Sequence, residues 1–207
     1  MQRTLSQIRL RPLQPTDKQD YLRWRLDPLI GGVMRGGIPQ EAEIQAELQM
    51  RFEQPRADEI YLCFEAIQPS TTVPQELIHA GDIRIRKTKD RKSYAFNESH
   101  GVWEFGLQCD QHFWGDTELS AIVAMLDVAF MLKGAVRVED TLWSGNHRSI
   151  DVLEKAGFTR EGLLRKRLWR NDEWIDEVFL GITEDDYQKL WGHSLPHWNY
   201  DEIKRIL

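Results

Sequence analysis

The sequence predicts an α/β fold with a mixed, mostly antiparallel sheet interrupted by a central β-α-β crossover. Two observations carry this. Residues 59–68, 77–87 and 101–109 are strand-like runs rich in aromatic and β-branched residues, separated by polar loops, and they read as an antiparallel meander. Beyond Gly115 the apolar period lengthens from two to about 3.6, and a strand at residues 135–143 and a second helix follow. Two β-α steps in succession imply a right-handed crossover between parallel strands.

The elements follow in order. In residues 7–13, Ile8 and Leu10 alternate with Arg9 and Arg11, as in a half-exposed first strand. Pro15, Thr16 and Asp17 open a helix that carries Tyr21, Leu22 and Trp24 and stops before Pro28. A loop with paired glycines, Gly31, Gly32, Gly36 and Gly37, leads to a helix over residues 40–53 with Ile44, Leu48 and Phe52 four apart. After the meander, Leu119, Ile122, Val123, Leu126, Ala129 and Phe130 form the apolar face of a long helix ending near Gly134. Ser144, Gly145 and Asn146 break the next strand. The helix over residues 147–156 is closed by Gly157, which suits a left-handed cap. Strands at 158–169 and 173–182 flank a hairpin turn at Asn171 and Asp172. Residues 183–186 begin a last short helix. The chain reads as a single domain, residues 1–207, with 193–207 an appendage whose packing the pattern does not specify.

Composition narrows the function classes. With 207 residues, 41% hydrophobic and 29% charged, the chain can bury a full core. A formal charge of −6 gives no overall bias toward nucleic acid or anionic membrane. The basic runs at residues 84–92 and 160–170 read first as solvated hairpin faces. No segment approaches the roughly 20 apolar residues of a membrane span, and residues 1–6 lack a signal-peptide core, so a cytoplasmic protein is expected. Cys63 and Cys109 fall in strands without metal-ligand spacing; buried free thiols are expected, with no metal site.

The motifs lie between Trp103 and Asp176: Glu104-Phe105-Gly106-Leu107 in a strand, Trp114-Gly115 opening a helix, Ala129-Phe130 near its end, Asn146 with Ser149-Ile150, then Glu154-Lys155-Ala156-Gly157-Phe158, Glu161-Gly162, Leu164-Arg165 and Asp176. In this order and spacing the chain resembles the GNAT superfamily of N-acetyltransferases, within it the branch that includes ribosomal-protein N-terminal acetyltransferases. The resemblance implies a sheet with splayed strands and an acetyl-CoA-dependent N-acetyltransferase acting on an amine of a small molecule, peptide or protein N-terminus. The alternative is a non-catalytic GNAT-like module that binds acyl-CoA or a partner protein. The oligomeric state stays open, a homodimer included.

Acetyl transfer from a thioester needs a base for the amine, donors for the carbonyl and a proton for the leaving thiolate. Glu104 shares a strand face with Val102, Gly106 and Gln108, a mid-strand carboxylate where Glu is unfavoured. It is the candidate base, set against a plain outward Glu. Asn146 and Ser149 are locally explained as a helix N-cap and first turn; the resemblance makes Asn146 a positioning residue and Ser149 the acid, since Leu153 stands near where many members carry Tyr. It also implies cofactor contacts from Leu107, Gln108 and Cys109, from the turn Trp114, Gly115, Asp116 and Thr117, and from Asn146 and Ser149. That turn departs from the family pattern. It has no second glycine and no Lys or Arg, and Asp116 and Glu118 are expected to occupy the positive helix end that an anion needs. The segment with Val33, Met34 and Arg35 is expected to form a loop over the substrate.

Overall fold

The computed structural model describes residues 5–33, 38–67, 76–88, 101–170, 172–192 and 199–207. The chain begins with β1 (Ile8–Pro12), α1 (Lys18–Leu26) and α2 (Glu41–Glu53). The meander β2 (Glu59–Ile67), β3 (Leu77–Lys87) and β4 (Gly101–Cys109) follows. Then come α3 (Asp116–Asp127), β5 (Ala135–Trp143), α4 (His147–Ala156), β6 (Thr159–Arg170), β7 (Glu173–Thr183), α5 (Glu184–Trp191) and α6 (Tyr200–Ile206). The seven strands form one sheet in the order β1-β2-β3-β4-β5-β7-β6, antiparallel throughout except between β4 and β5.

That parallel pair positions the site. The β4–β5 ladder runs only from Gly101↔Ala135 to Glu104↔Glu139. Beyond it Phe105–Cys109 pairs on its other side with β3, and Asp140–Trp143 pairs with β7. The expected splay is therefore present. α3 covers the crossover, with residues 118–127 all buried, because it lies under the sheet and against α4. Its expected continuation to Lys133 is not plain α-helix: Val128–Leu132 is a π-helical turn, closed by Lys133 N–H donating to Val128 C=O at 3.1 Å.

Local signals act where the sequence puts them. The Asn146 side chain caps α4 and Gly157, at φ 108°, closes it. Thr183 and Asp186 form a capping box on α5. Asn171 of the expected hairpin turn lies outside the described residues, as does most of the Val33–Arg35 segment; Asp172, at φ 60°, is in the left-handed region. Arg11, expected on an exposed face, is buried, because Asp17 and Glu65 both pair with it. α5 is not the last helix. In α6, Ile203 enters the core, and the Asn199 side chain hydrogen-bonds both the N–H and C=O of Leu10 on the free edge of β1. Among the described residues no helix is long and apolar enough to cross a membrane.

Candidate active site

The splay opens a cleft of about 940 Å³ that extends from the β4–β5 gap to α2. Strand alternation decides which backbone groups face the gap. Asp110 N–H donates to Ala80 C=O, and Val102 C=O accepts from Thr88 N–H, both on the β3 side. Even-numbered residues of β4 therefore point their amides at β3, while the odd-numbered ones face β5: Phe105 at the last rung of the ladder, Leu107 and Cys109 into the gap. Leu107, expected to contact the cofactor, has its N–H on the gap side, past the last rung of the ladder. The Cys109 carbonyl is already engaged, by Trp114 Nε1 at 3.1 Å. Gln108 turns its backbone to β3 and contributes to the cleft only through its side chain. Both cysteines are free and buried; burial, with the Glu118 carboxylate, pushes the Cys109 thiol well above its ordinary pKa, so it stays protonated at neutral pH.

Glu104 lies at the last rung of the parallel ladder, beside Glu139. Arg86 Nη2 donates to Glu104 Oε2 at 2.8 Å, while Oε1 has the looser Arg84 contact at 3.6 Å. Asn146 is buried and Ser149 half-buried across the gap at the N-terminus of α4; both line the cleft, and so does Leu153. The Asn146 side-chain Oδ1 accepts from Ser149 N–H at 3.4 Å.

Trp114, Gly115, Asp116 and Thr117 do not line the cleft itself but form the turn into α3. Gly115 sits at φ 100° with open space where a side chain would be, so the turn is accessible. Only one of the two acidic residues faces outward. Asp116 is exposed, but Glu118 is buried, and Arg148 Nη1 donates to its two oxygens at 2.6 and 2.7 Å. Burial raises the Glu118 pKa, and Arg148 opposes that rise. The same guanidinium stacks 4.0 Å from the Trp114 ring centroid and donates to Ser149 Oγ at 3.2 Å. The basic group missing from the turn thus arrives from α4. Sequence reading passed over Arg148 although it sits between Asn146 and Ser149; its spacing from Glu118 gives no local signal. Glu177 was also missed. It is fully buried on β7, opposite Trp143, and lines the cleft.

Next to Asp82 on the same face of β2 and β3, Asp17, Cys63 and His79 bring ligand-type atoms within 4.8 Å of one another, a cluster that sequence spacing did not suggest. Asp17 is held there by Arg11 through two 2.7 Å bonds, and His79 Nε2 lies 2.9 Å from Asp82 Oδ1. Burial alone would lower the His79 pKa, but Asp82 and Asp17 outweigh it and raise it.

Known proteins agree with this geometry. The chain is 26% identical over 102 residues to the SPbeta prophage-derived uncharacterized N-acetyltransferase YokL of Bacillus subtilis, which is 49% of this chain and 58% of that protein. It is 38% identical over 66 residues to the probable N-acetyltransferase YjcK of the same organism, 32% of this chain and 36% of that protein. The match thus spans less than two thirds of either relative. Two solved structures share the fold: a GNAT-family acetyltransferase from Bacillus anthracis (TM-score 0.67, 20% identity, 88% of this chain and 98% of that one) and spermidine N-acetyltransferase from Vibrio cholerae in complex with CoA and spermine (0.65, 17%, 87% and 98%). The sequence model of the acetyltransferase (GNAT) domain matches residues 7–159, a span that includes the splayed strands β4 and β5, and this chain belongs to that family.

Proposed function

We propose that the protein is an acetyl-CoA-dependent N-acetyltransferase. The observation that carries this is the splay: a strand whose Leu107 amide faces a cleft instead of a neighbouring strand, with Glu104 on one side and Ser149 on the other. The fit to coenzyme A rests on the same strand, on the open turn at Gly115 and on Arg148, which balances Glu118 beside that turn. Bound acetyl-CoA supplies a thioester, whose C–S bond breaks as the amine nitrogen forms its new C–N bond. The backbone amide of Leu107 is placed to hold the carbonyl oxygen. Glu104 takes the amine proton: Arg86 fixes Oε2, and Oε1 is the oxygen left to accept. Ser149 returns a proton to the sulfur, oriented by Arg148, and Asn146 holds the α4 turn in place. The motifs around Asn146 and Glu154 support the finer likeness to ribosomal-protein N-terminal acetyltransferases, so a polypeptide N-terminus belongs among the acceptors assayed.

Isothermal titration with acetyl-CoA and with free CoA tests the reading. Saturable binding of both, followed by release of free thiol when amines are added, is the expected result. A protein that binds neither is not an acetyltransferase and fits the partner-binding module instead.

A further inference from the structure

The acceptor side of the cleft is lined by charged pairs, and they are not equally tight. On the face shared by β2, β3 and β4, Arg51 bonds Glu59 at 2.8 Å and Glu47 at 2.9 Å, and Arg86 bonds Glu104 at 2.8 Å. These are ordinary lengths for charge-assisted bonds. Arg84, between them, reaches Glu59 only at 3.4 Å and Glu104 at 3.6 Å. It lies flat across β4 because its register partner is Gly106, where a Cβ would come within 2.8 Å of Arg84 Nε. One rung away, Asp82 faces Gln108. Both are buried, both line the cleft, and Asp82 Oδ2 and both atoms of the Gln108 amide have no hydrogen-bond partner among the described residues. The other Asp82 oxygen is used by His79 and by the Cys63 thiol. Buried polar atoms without partners are rare in folded proteins and here mark where a ligand completes the bonding.

The geometry points to a small zwitterionic acceptor, an amino acid whose carboxylate is held by Arg84 and whose hydrogen-bond donors reach Glu104 on one side and the unpartnered oxygens of Asp82 and Gln108 on the other. This rests on the acetyltransferase reading and narrows its acceptor. Charge balance favours a zwitterion over a polycation. The wall formed by Glu47, Arg51, Glu59, Asp82, Arg84, Glu104 and Arg86 carries four carboxylates and three guanidiniums, so a polyamine with several ammonium groups finds a surplus of only one carboxylate there. A zwitterion replaces the two long Arg84 contacts with short ones and leaves no charge stranded.

Initial rates of thiol release with saturating acetyl-CoA decide it, using the free L-amino acids, their α-carboxamides, C-terminally amidated tripeptides and spermidine. The carboxamides keep the amine and remove only the negative charge. The expected result is at least one free acid whose kcat/KM exceeds that of its own carboxamide tenfold or more. Arg84→Gln collapses that ratio toward one through KM, and Arg84→Lys restores part of it. Carboxamides, peptide amides or spermidine used as well as the acids overturn the inference, and so does a ratio indifferent to Arg84→Gln. A protein that binds CoA but acetylates none of the acids overturns it too. Absence of CoA binding instead removes the acetyltransferase reading on which it stands.

Discussion

At the scale of single residues, two side chains separate chemistry from structure. Glu104 is a surface-accessible carboxylate whose partner Arg86 is also accessible, so replacing it costs the fold little. Glu104→Gln keeps the shape and is expected to lower kcat about 10²–10⁴-fold, the usual contribution of a positioned base; an unchanged rate at saturating acceptor takes Glu104 out of the mechanism. Arg148 is the opposite case. Its loss strands Glu118, which is buried at the start of α3. Arg148→Ala is expected to cost roughly 1–3 kcal/mol, below the range for a fully buried pair because the guanidinium is 35% exposed and Glu118 keeps a backbone bond at Gly115. Burial already raises the Glu118 pKa, so protonation relieves the stranded carboxylate, and the loss should be smaller at about pH 5 than at about pH 8. Urea melts at both pH values check this, and the double variant with Glu118→Gln should recover much of the stability.

At the scale of an element, α3 does two jobs that conflict. Its first turn must present backbone N–H groups near the cleft, yet its body is buried. Polar residues inside that body then need partners, and Asp127 has none among the described residues for either oxygen. Burial pushes its pKa up to about 7. The folded state therefore holds this proton more tightly than the unfolded chain, whose Asp titrates near about 3.9. The sign follows: the protonated carboxyl is tolerated at low pH, and stability is lost as pH rises from about 4 to about 7. Asp127→Asn should remove that slope and stabilise the protein above neutrality by up to roughly 4 kcal/mol. Denaturant midpoints of the two proteins across this range should converge on the acid side; parallel curves would mean that Asp127 stays ionised in the fold. The π-helical turn begins at the next residue, Val128, where a uniform apolar pattern had suggested an unbroken helix.

At the scale of the whole molecule, the two ends of the chain meet. α6 supplies Ile203 to the core, and Asn199 completes the backbone bonds of Leu10 on the outer edge of β1. Ending the chain before Asn199 should cost roughly 2–4 kcal/mol, from one buried aliphatic side chain and the lost bonds. It should also promote self-association through the uncovered strand edge, seen by light scattering alongside thermal melts. Full stability in a monodisperse truncated protein would show the tail to be dispensable. Much of the fold was legible in the sequence because its signals are local. Residues 83–87 and 101–109 alternate in apolar character, and Asn146 and Gly157 punctuate α4. The likeness to a family was legible from ordered motifs, and with it the splay and the candidate residues Glu104, Asn146 and Ser149. What lay between elements was not legible. Arg148 neutralising Glu118, Trp114 taking the Cys109 carbonyl, Arg84 lying across Gly106 and α6 closing the edge of β1 all join residues distant in sequence or on different elements. Periodicity and caps are set by neighbours within a few positions along the chain, so the sequence by itself determined the elements, their order and the class of fold. Ion pairing and burial depend on which surfaces the folded sheet brings together, so only the tertiary structure decided which carboxylates are neutralised and which buried polar atoms are left without partners among the described residues.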